Sequence, residues 1–115
     1  AHFEKHAVNN EDDYERIYAV YYYSFLLGRM ESSLALDGIS FIEKWGNTDT
    51  GVYAKNVAKS ALKRIKMAFE GEVMAIEMES EASGLNKSQK LALESEMLNY
   101  MHVVERADAG IAGIK

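Results

Sequence analysis

The sequence predicts an all-α protein, a small helical bundle of three long helices plus one short helix, with an antiparallel αα-hairpin turning at Gly84. Three observations predict this fold class. The chain contains no proline, so no ring clash interrupts a helix. Apolar side chains recur at helical spacing over long segments, and the glycines fall mainly at segment ends. A length of 115 residues suits one hydrophobic core, so we expect a single helical domain over residues 10–115, preceded by a flexible segment at residues 1–9.

The first long helix is predicted to begin after Asn9 or Asn10, since either side chain can cap a helix and acidic residues follow. We expect it to continue to about Leu36, where the pair 37–38, Asp-Gly, ends it. The segment 39–45 is then predicted to form the short helix, before Gly-Asn at 46–47 breaks the chain again.

The second long helix is predicted from about Gly51 to Ser83. Gly84 can close it in a left-handed conformation, and Asn86 with Gln89 makes a capping-box pattern for the third helix, about residues 87–109. Because the connection is short, the third helix should return along the second.

The inner faces of these two helices form the predicted core. Their apolar stripes contain, on the second helix, Val57, Ala58, Ala61, Leu62, Ile65, Ala68, Phe69, Val73 and Ile76, and on the third, Leu93, Met97, Tyr100, Met101, Val104, Ala107 and Ile111.

The middle of the first helix is apolar on nearly all sides. One interpretation is a central helix packed between the hairpin and the short helix; the other is that one side faces another subunit or partner. Tyrosines favour contact surfaces because their rings give large contact area while the hydroxyl stays wet. The candidate contact residues on this helix are Tyr18, Tyr22, Tyr23, Leu27 and Met30.

Arg29 lies on the same side of the first helix as Phe25, where a covered charge needs a partner. Glu72 and Glu79 interrupt the core stripe of the second helix, and either could supply it; a plain exposed arginine is the alternative.

The second long helix also carries a segregated charge pattern that opposes the helix dipole. Its first half contains Lys55, Lys59, Lys63, Arg64 and Lys66, and its second half contains Glu70, Glu72, Glu77, Glu79 and Glu81. An antiparallel copy of the same helix would set each basic half against an acidic half. Away from the core, Met67, Gly71, Met74 and Met78 have the spacing of a helix-pairing seam, so we expect a two-fold homodimer through them, with a solvated charged face as the alternative.

Composition and motifs exclude several classes of function. The chain has no cysteine, which excludes disulfides and thiolate sites, and its net charge of −5 argues against general nucleic-acid binding. No apolar stretch is long enough to span a bilayer, so we expect a soluble acidic protein. His102 has Glu94 and Glu105 nearby, but Asn99 replaces the glutamate of a Glu-x-x-His motif, and we expect no catalytic residue, cofactor or metal ligand set.

These observations favour a non-catalytic protein-binding domain, such as an inhibitor or immunity-type protein that recognises another protein through a helical surface. One alternative is a metal-binding or enzymatic helical bundle that uses His102 and nearby carboxylates; another is a structural subunit of a larger assembly. The start at Ala1 and the missing cysteines favour an exported or periplasmic location over a cytoplasmic one, although methionine removal would give the same start.

Overall fold

The structure, a computed structural model, describes residues 13–48, 51–82 and 84–114, and within them the side chains of all but residues 13–16 and 51–53. These residues form four helices and no strand, which confirms the all-α prediction. The helices are α1 (Asp13–Gly28), α2 (Ser32–Gly46), α3 (Gly51–Ser80) and α4 (Lys87–Gly113). The predicted flexible segment 1–9 and the predicted helix start at Asn9 or Asn10 lie outside the described residues.

The prediction of one long helix reaching about Leu36 is wrong. The chain leaves the helix after Gly28, and the backbone N–H groups of Met30 and Glu31 both donate to the carbonyl of Leu27, at 3.0 and 2.9 Å. The second helix then begins at Ser32 and continues through Asp37 and Gly38, the pair that was expected to end a helix.

Close packing explains why the break lies at Gly28. A Cβ atom at this position would lie 2.5 Å from the Cβ of Ala35 and 2.9 Å from the ring of Phe69. The turn therefore brings α2 against α1 directly above the aromatic core of α3, where a side chain at residue 28 has no room. Gly38 is buried inside α2 instead of ending it, because tertiary packing outweighs the local preference of glycine for a helix end.

Contacts between α3 and α4 run in opposite directions along the two helices. Lys66 contacts Asp108 with an Nζ–Oδ1 distance of 2.8 Å, and further along α3 Phe69 lies against Tyr100, with ring centroids 5.4 Å apart. Between these two contacts the residue number rises on α3 and falls on α4.

The connection between α3 and α4 has the local chemistry that its sequence predicts. Gly84 has φ +90°, a conformation that glycine adopts without steric cost. The Asn86 side chain accepts from the backbone N–H of Gln89 at 2.8 Å, and the Gln89 side chain accepts from the backbone N–H of Asn86 at 2.9 Å. This reciprocal capping box satisfies two donors at the start of α4. The helix then continues to Gly113, beyond the expected end near residue 109.

The core collects buried side chains from all four helices, with Phe69 of α3 near its centre. The Phe69 ring meets Phe25 edge-on at 5.6 Å on one side and Tyr100 on the other. Most of the predicted core stripes are buried, but Met101 is 39% exposed, so its assignment to the core is wrong. Met101 lies at the edge of the α4 stripe, and the rotation of α4 about its own axis places its side chain towards solvent.

Candidate protein-interaction surfaces

An uncharged, largely aromatic face runs along the outer side of α1. Residues 17–28 contain no charged side chain, and five large side chains on this helix or immediately after it are exposed. We call this set the tyrosine face; its members are Tyr18, Tyr22, Tyr23, Leu26 and Met30. Tyr22 and Tyr23 are 57% and 55% exposed and Met30 is 86% exposed, which is a large apolar area for a surface without charge to solvate it.

The opposite side of α1 anchors this face to the core. Ile17, Val20 and Ser24 are buried, and the Ser24 hydroxyl donates to the Val20 carbonyl at 2.6 Å, which satisfies the buried polar group within the helix. The guanidinium carbon of Arg64 of α3 lies over the Tyr18 ring, 5.5 Å from its centroid. The exposed rings therefore project from a packed helix and not from a loop.

The candidates predicted on α1 fall partly on this face. Tyr18, Tyr22, Tyr23 and Met30 belong to it, whereas Leu27 is partly buried and its carbonyl closes the turn after α1. Leu26 also belongs to this face but was not among the predicted contact residues, although the i, i+4 series that links Tyr18, Tyr22 and Met30 passes through it.

Arg29 connects the end of the tyrosine face to α3. Its Nε atom lies 3.2 Å from the Glu72 carboxylate, so one of the two glutamates considered for it is its partner, and half of its side chain stays exposed. The Tyr100 hydroxyl lies 3.0 Å from the Arg29 carbonyl and 3.1 Å from the Glu96 carboxylate, and its proton is shared between these two acceptors. Burial, and then the neighbouring Glu96 carboxylate, raise the pKa of Tyr100 above its usual value.

The four candidates on α3 lie on the side of that helix away from the core. We call Met67, Gly71, Met74 and Met78 the methionine stripe; the three methionines are between 63% and 75% exposed. Apart from its chain neighbours and the adjacent backbone of α3, no atom of the described residues comes within 4 Å of a Cβ built at Gly71, so the stripe contains an open notch between methionines.

Helix α4 extends the apolar surface beside the methionine stripe. A groove of about 290 Å³ lies between the two helices and is lined by Glu70, Val73 and Met74 of α3 and Met101, Val104 and Glu105 of α4. Leu98, one helical turn from Met101, is 58% exposed next to it. The sequence analysis did not predict this apolar contribution from α4. The seven-residue interval between the exposed Leu91 and Leu98 was the pattern that could have indicated it.

Some charged side chains of α3 form ion pairs within the chain, and others are exposed to solvent. Lys66 is paired with Asp108, and this hydrogen bond and the attraction of the Asp108 charge raise the pKa of Lys66 above its usual value. Glu72 is paired with Arg29. Lys63 and Arg64 in the basic half, and Glu70, Glu77, Glu79 and Glu81 in the acidic half, are exposed.

The described residues contain no group of three His, Asp or Glu side chains that could hold a metal ion. His102 is exposed on α4 and belongs to no such group among the described residues.

Within the ranges that the structure describes, no helix combines the length and the apolar character needed to cross a bilayer. Comparison with known proteins adds no assignment: no family model, no curated protein and no solved structure matches this chain.

Proposed function

We propose that this chain is a non-catalytic protein-binding domain that recognises another protein through the tyrosine face, in the manner of an inhibitor or immunity-type protein. The observation that supports it is the exposure of Tyr22, Tyr23 and Met30 beside a stretch of α1 that has no charge. Side chains of this kind on a monomer surface mark contact sites, because burying them against a partner removes apolar area from water.

Tyrosine suits this role for two physical reasons. The ring supplies a large contact area while only two side-chain torsions lose freedom, and the hydroxyl can keep a hydrogen bond to water or to the partner. Tyr22 also meets Tyr21 edge-on, with ring centroids 6.4 Å apart, which restricts the ring before binding. A pre-oriented ring loses less entropy when the partner docks.

A capture experiment tests the tyrosine face. The chain is immobilised, exposed to an extract of its native organism, and the retained proteins are quantified by mass spectrometry for the wild type and for Tyr22→Glu. We expect one protein to be retained in fixed ratio by the wild type and to fall at least tenfold with Tyr22→Glu, because a buried charge without a partner costs more than about 1.4 kcal/mol.

The matched control is Leu91→Glu, which places the same charge at a comparably exposed apolar residue on α4. Both variants should unfold within about 0.5 kcal/mol of the wild type, as surface substitutions do. Equal capture by the wild type and Tyr22→Glu would remove the tyrosine face as the binding surface.

We also propose that the chain forms a homodimer through the methionine stripe, with α3 and α4 acting as an antiparallel hairpin that turns at Gly84. Three exposed methionines and an open glycine on a helix with segregated charges support this proposal. Methionine side chains are flexible and polarisable, so they can fill an irregular seam between two helices. The dimer would leave both tyrosine faces on helices outside the seam.

A further inference from the structure

We infer that two copies of α3 pair antiparallel about a two-fold axis between residues 72 and 73, with Met67 against the second copy's Met78 and Gly71 against the second copy's Met74. The inference rests on the proposed homodimer and adds its direction and register.

The spacing of the methionine stripe supports this axis. The intervals between its four residues are four, three and four, so the stripe reads the same from either end. A copy running in the opposite direction therefore presents the same intervals, and all four positions align at once. At about 1.5 Å of rise per residue, the stripe is about 16 Å long, which is about three turns of seam.

Gly71 gives an independent reason for this register. At Gly28, Gly46 and Gly110, a Cβ would come within about 3.1 Å of a neighbouring side chain, so packing within the chain accounts for the missing side chain. Gly71 has no such neighbour, and glycine inside a helix costs up to about 1 kcal/mol relative to alanine. The proposed register places the second copy's Met74 in this notch, which would explain the glycine by contact between copies.

The exposed charges at the two ends of the methionine stripe favour the antiparallel direction. In the proposed register Lys63 of one copy lies beside the second copy's Glu81, at both ends of the seam. A parallel pair would place Lys63 beside Lys63 and Glu81 beside Glu81, and like charges across a seam oppose association. The pairing that aligns the methionines brings opposite charges together at the two ends of the seam, whereas Glu70 lies near the second copy's Glu77 at its centre.

Cysteine crosslinking tests the register, because the chain has no cysteine of its own. Met67→Cys and Met78→Cys proteins are prepared separately, mixed and mildly oxidised, and disulfide-linked dimers are measured on a non-reducing gel. We expect the mixture to crosslink efficiently, while either protein alone does not, because its two thiols would lie about 16 Å apart along the seam. Met74→Cys alone should crosslink to itself, since its two copies are about 4.5 Å apart along the axis.

Leu91→Cys is the control for random collision, because it is exposed on α4 outside the stripe. A charge test accompanies it: Glu81→Lys should weaken the dimer about fivefold, and adding Lys63→Glu to the same chain should restore it. Sedimentation measured on the wild type separates the possible failures. A wild-type monomer at 100 μM overturns the homodimer and this register with it, and the stripe would then be a surface for a different protein.

A wild-type dimer in which Met78→Cys crosslinks to itself overturns the antiparallel register and leaves the homodimer standing. A wild-type dimer in which no stripe cysteine crosslinks above the Leu91→Cys control places the dimer contact elsewhere. Neither outcome bears on capture through the tyrosine face, because Tyr22→Glu leaves the methionine stripe unchanged.

Discussion

Tyr100 shows how one residue connects three parts of the molecule. Its ring packs on Phe69, and its hydroxyl reaches the backbone carbonyl of Arg29 in the turn between α1 and α2. This turn follows the tyrosine face, so the contact holds the position of Met30 and of the end of α1. The hydroxyl must stay protonated to donate, and its raised pKa means that folding favours the protonated form.

Tyr100→Phe should therefore lower the free energy of unfolding by about 1 kcal/mol at pH 8, the usual net contribution of a hydrogen bond. The difference should shrink above pH 10, where the unfolded tyrosine loses its proton while the folded one keeps it, so stability falls as pH rises through the folded pKa. Urea unfolding of both proteins at pH 8 and pH 11 measures this. A difference that grows at pH 11 would contradict the assigned direction of the pKa shift.

At the scale of elements, the break between α1 and α2 separates what sequence reasoning could predict from what it could not. The capping box at Asn86 was predictable because its donors and acceptors lie within four residues of each other. The end of α1 at Gly28 was not, because both sides of it suit a helix and the break depends on Ala35 and Phe69 of other helices. Periodicity reports local preference and says little about such contacts.

The same distinction applies to the candidate surfaces. The exposure of Met67, Met74 and Met78 follows from their position opposite the core stripe of α3, which the 3.6-residue period shows directly. The exposure of Leu98 and Met101 depends on how α4 rolls against α3, which no single-helix pattern contains.

Two glycine substitutions should have opposite effects on the free energy of unfolding of the protein. Gly28→Ala should destabilise the protein by about 1 to 3 kcal/mol, because the new methyl group meets the Cβ of Ala35, which cannot move aside without its backbone. Gly71→Ala should stabilise it by about 0.5 to 1 kcal/mol, since the site is open and alanine favours helix. Urea unfolding in the Met74→Glu background, which prevents pairing through the stripe, measures both. Loss of stability in Gly71→Ala would show an unrecognised contact within the chain.

At the scale of the whole molecule, the two surfaces lie on different sides of α3, which contacts α1, α2 and α4. The tyrosine face belongs to α1, whereas the methionine stripe lies on the solvent side of α3 itself. A homodimer through the stripe would therefore stabilise the longest helix without covering the proposed binding surface, and its stability would depend on the concentration of protein.

The urea midpoint of the wild type should therefore rise with protein concentration. The rise corresponds to an increase in the apparent free energy of unfolding of about 1.4 kcal/mol per dimer for each tenfold increase in concentration. Met74→Glu should remove this dependence, because it places a charge in the centre of the seam. Fluorescence-detected unfolding at 1, 10 and 100 μM measures it. A midpoint that is independent of concentration in the wild type would contradict a dimer that dissociates on unfolding.

Two adjacent residues of α3, Lys63 and Arg64, contribute to different surfaces. The Arg64 guanidinium lies over the Tyr18 ring of the tyrosine face, and in the proposed dimer the preceding residue, Lys63, lies beside the second copy's Glu81. Because the two residues are adjacent on one helix, the two contacts would be thermodynamically linked. If pairing through Lys63 changes the position of Arg64, it changes the affinity for a partner at Tyr18, and the partner changes the dimerisation constant by the same factor. The helix that divides the two surfaces is therefore also the element through which they would exchange free energy.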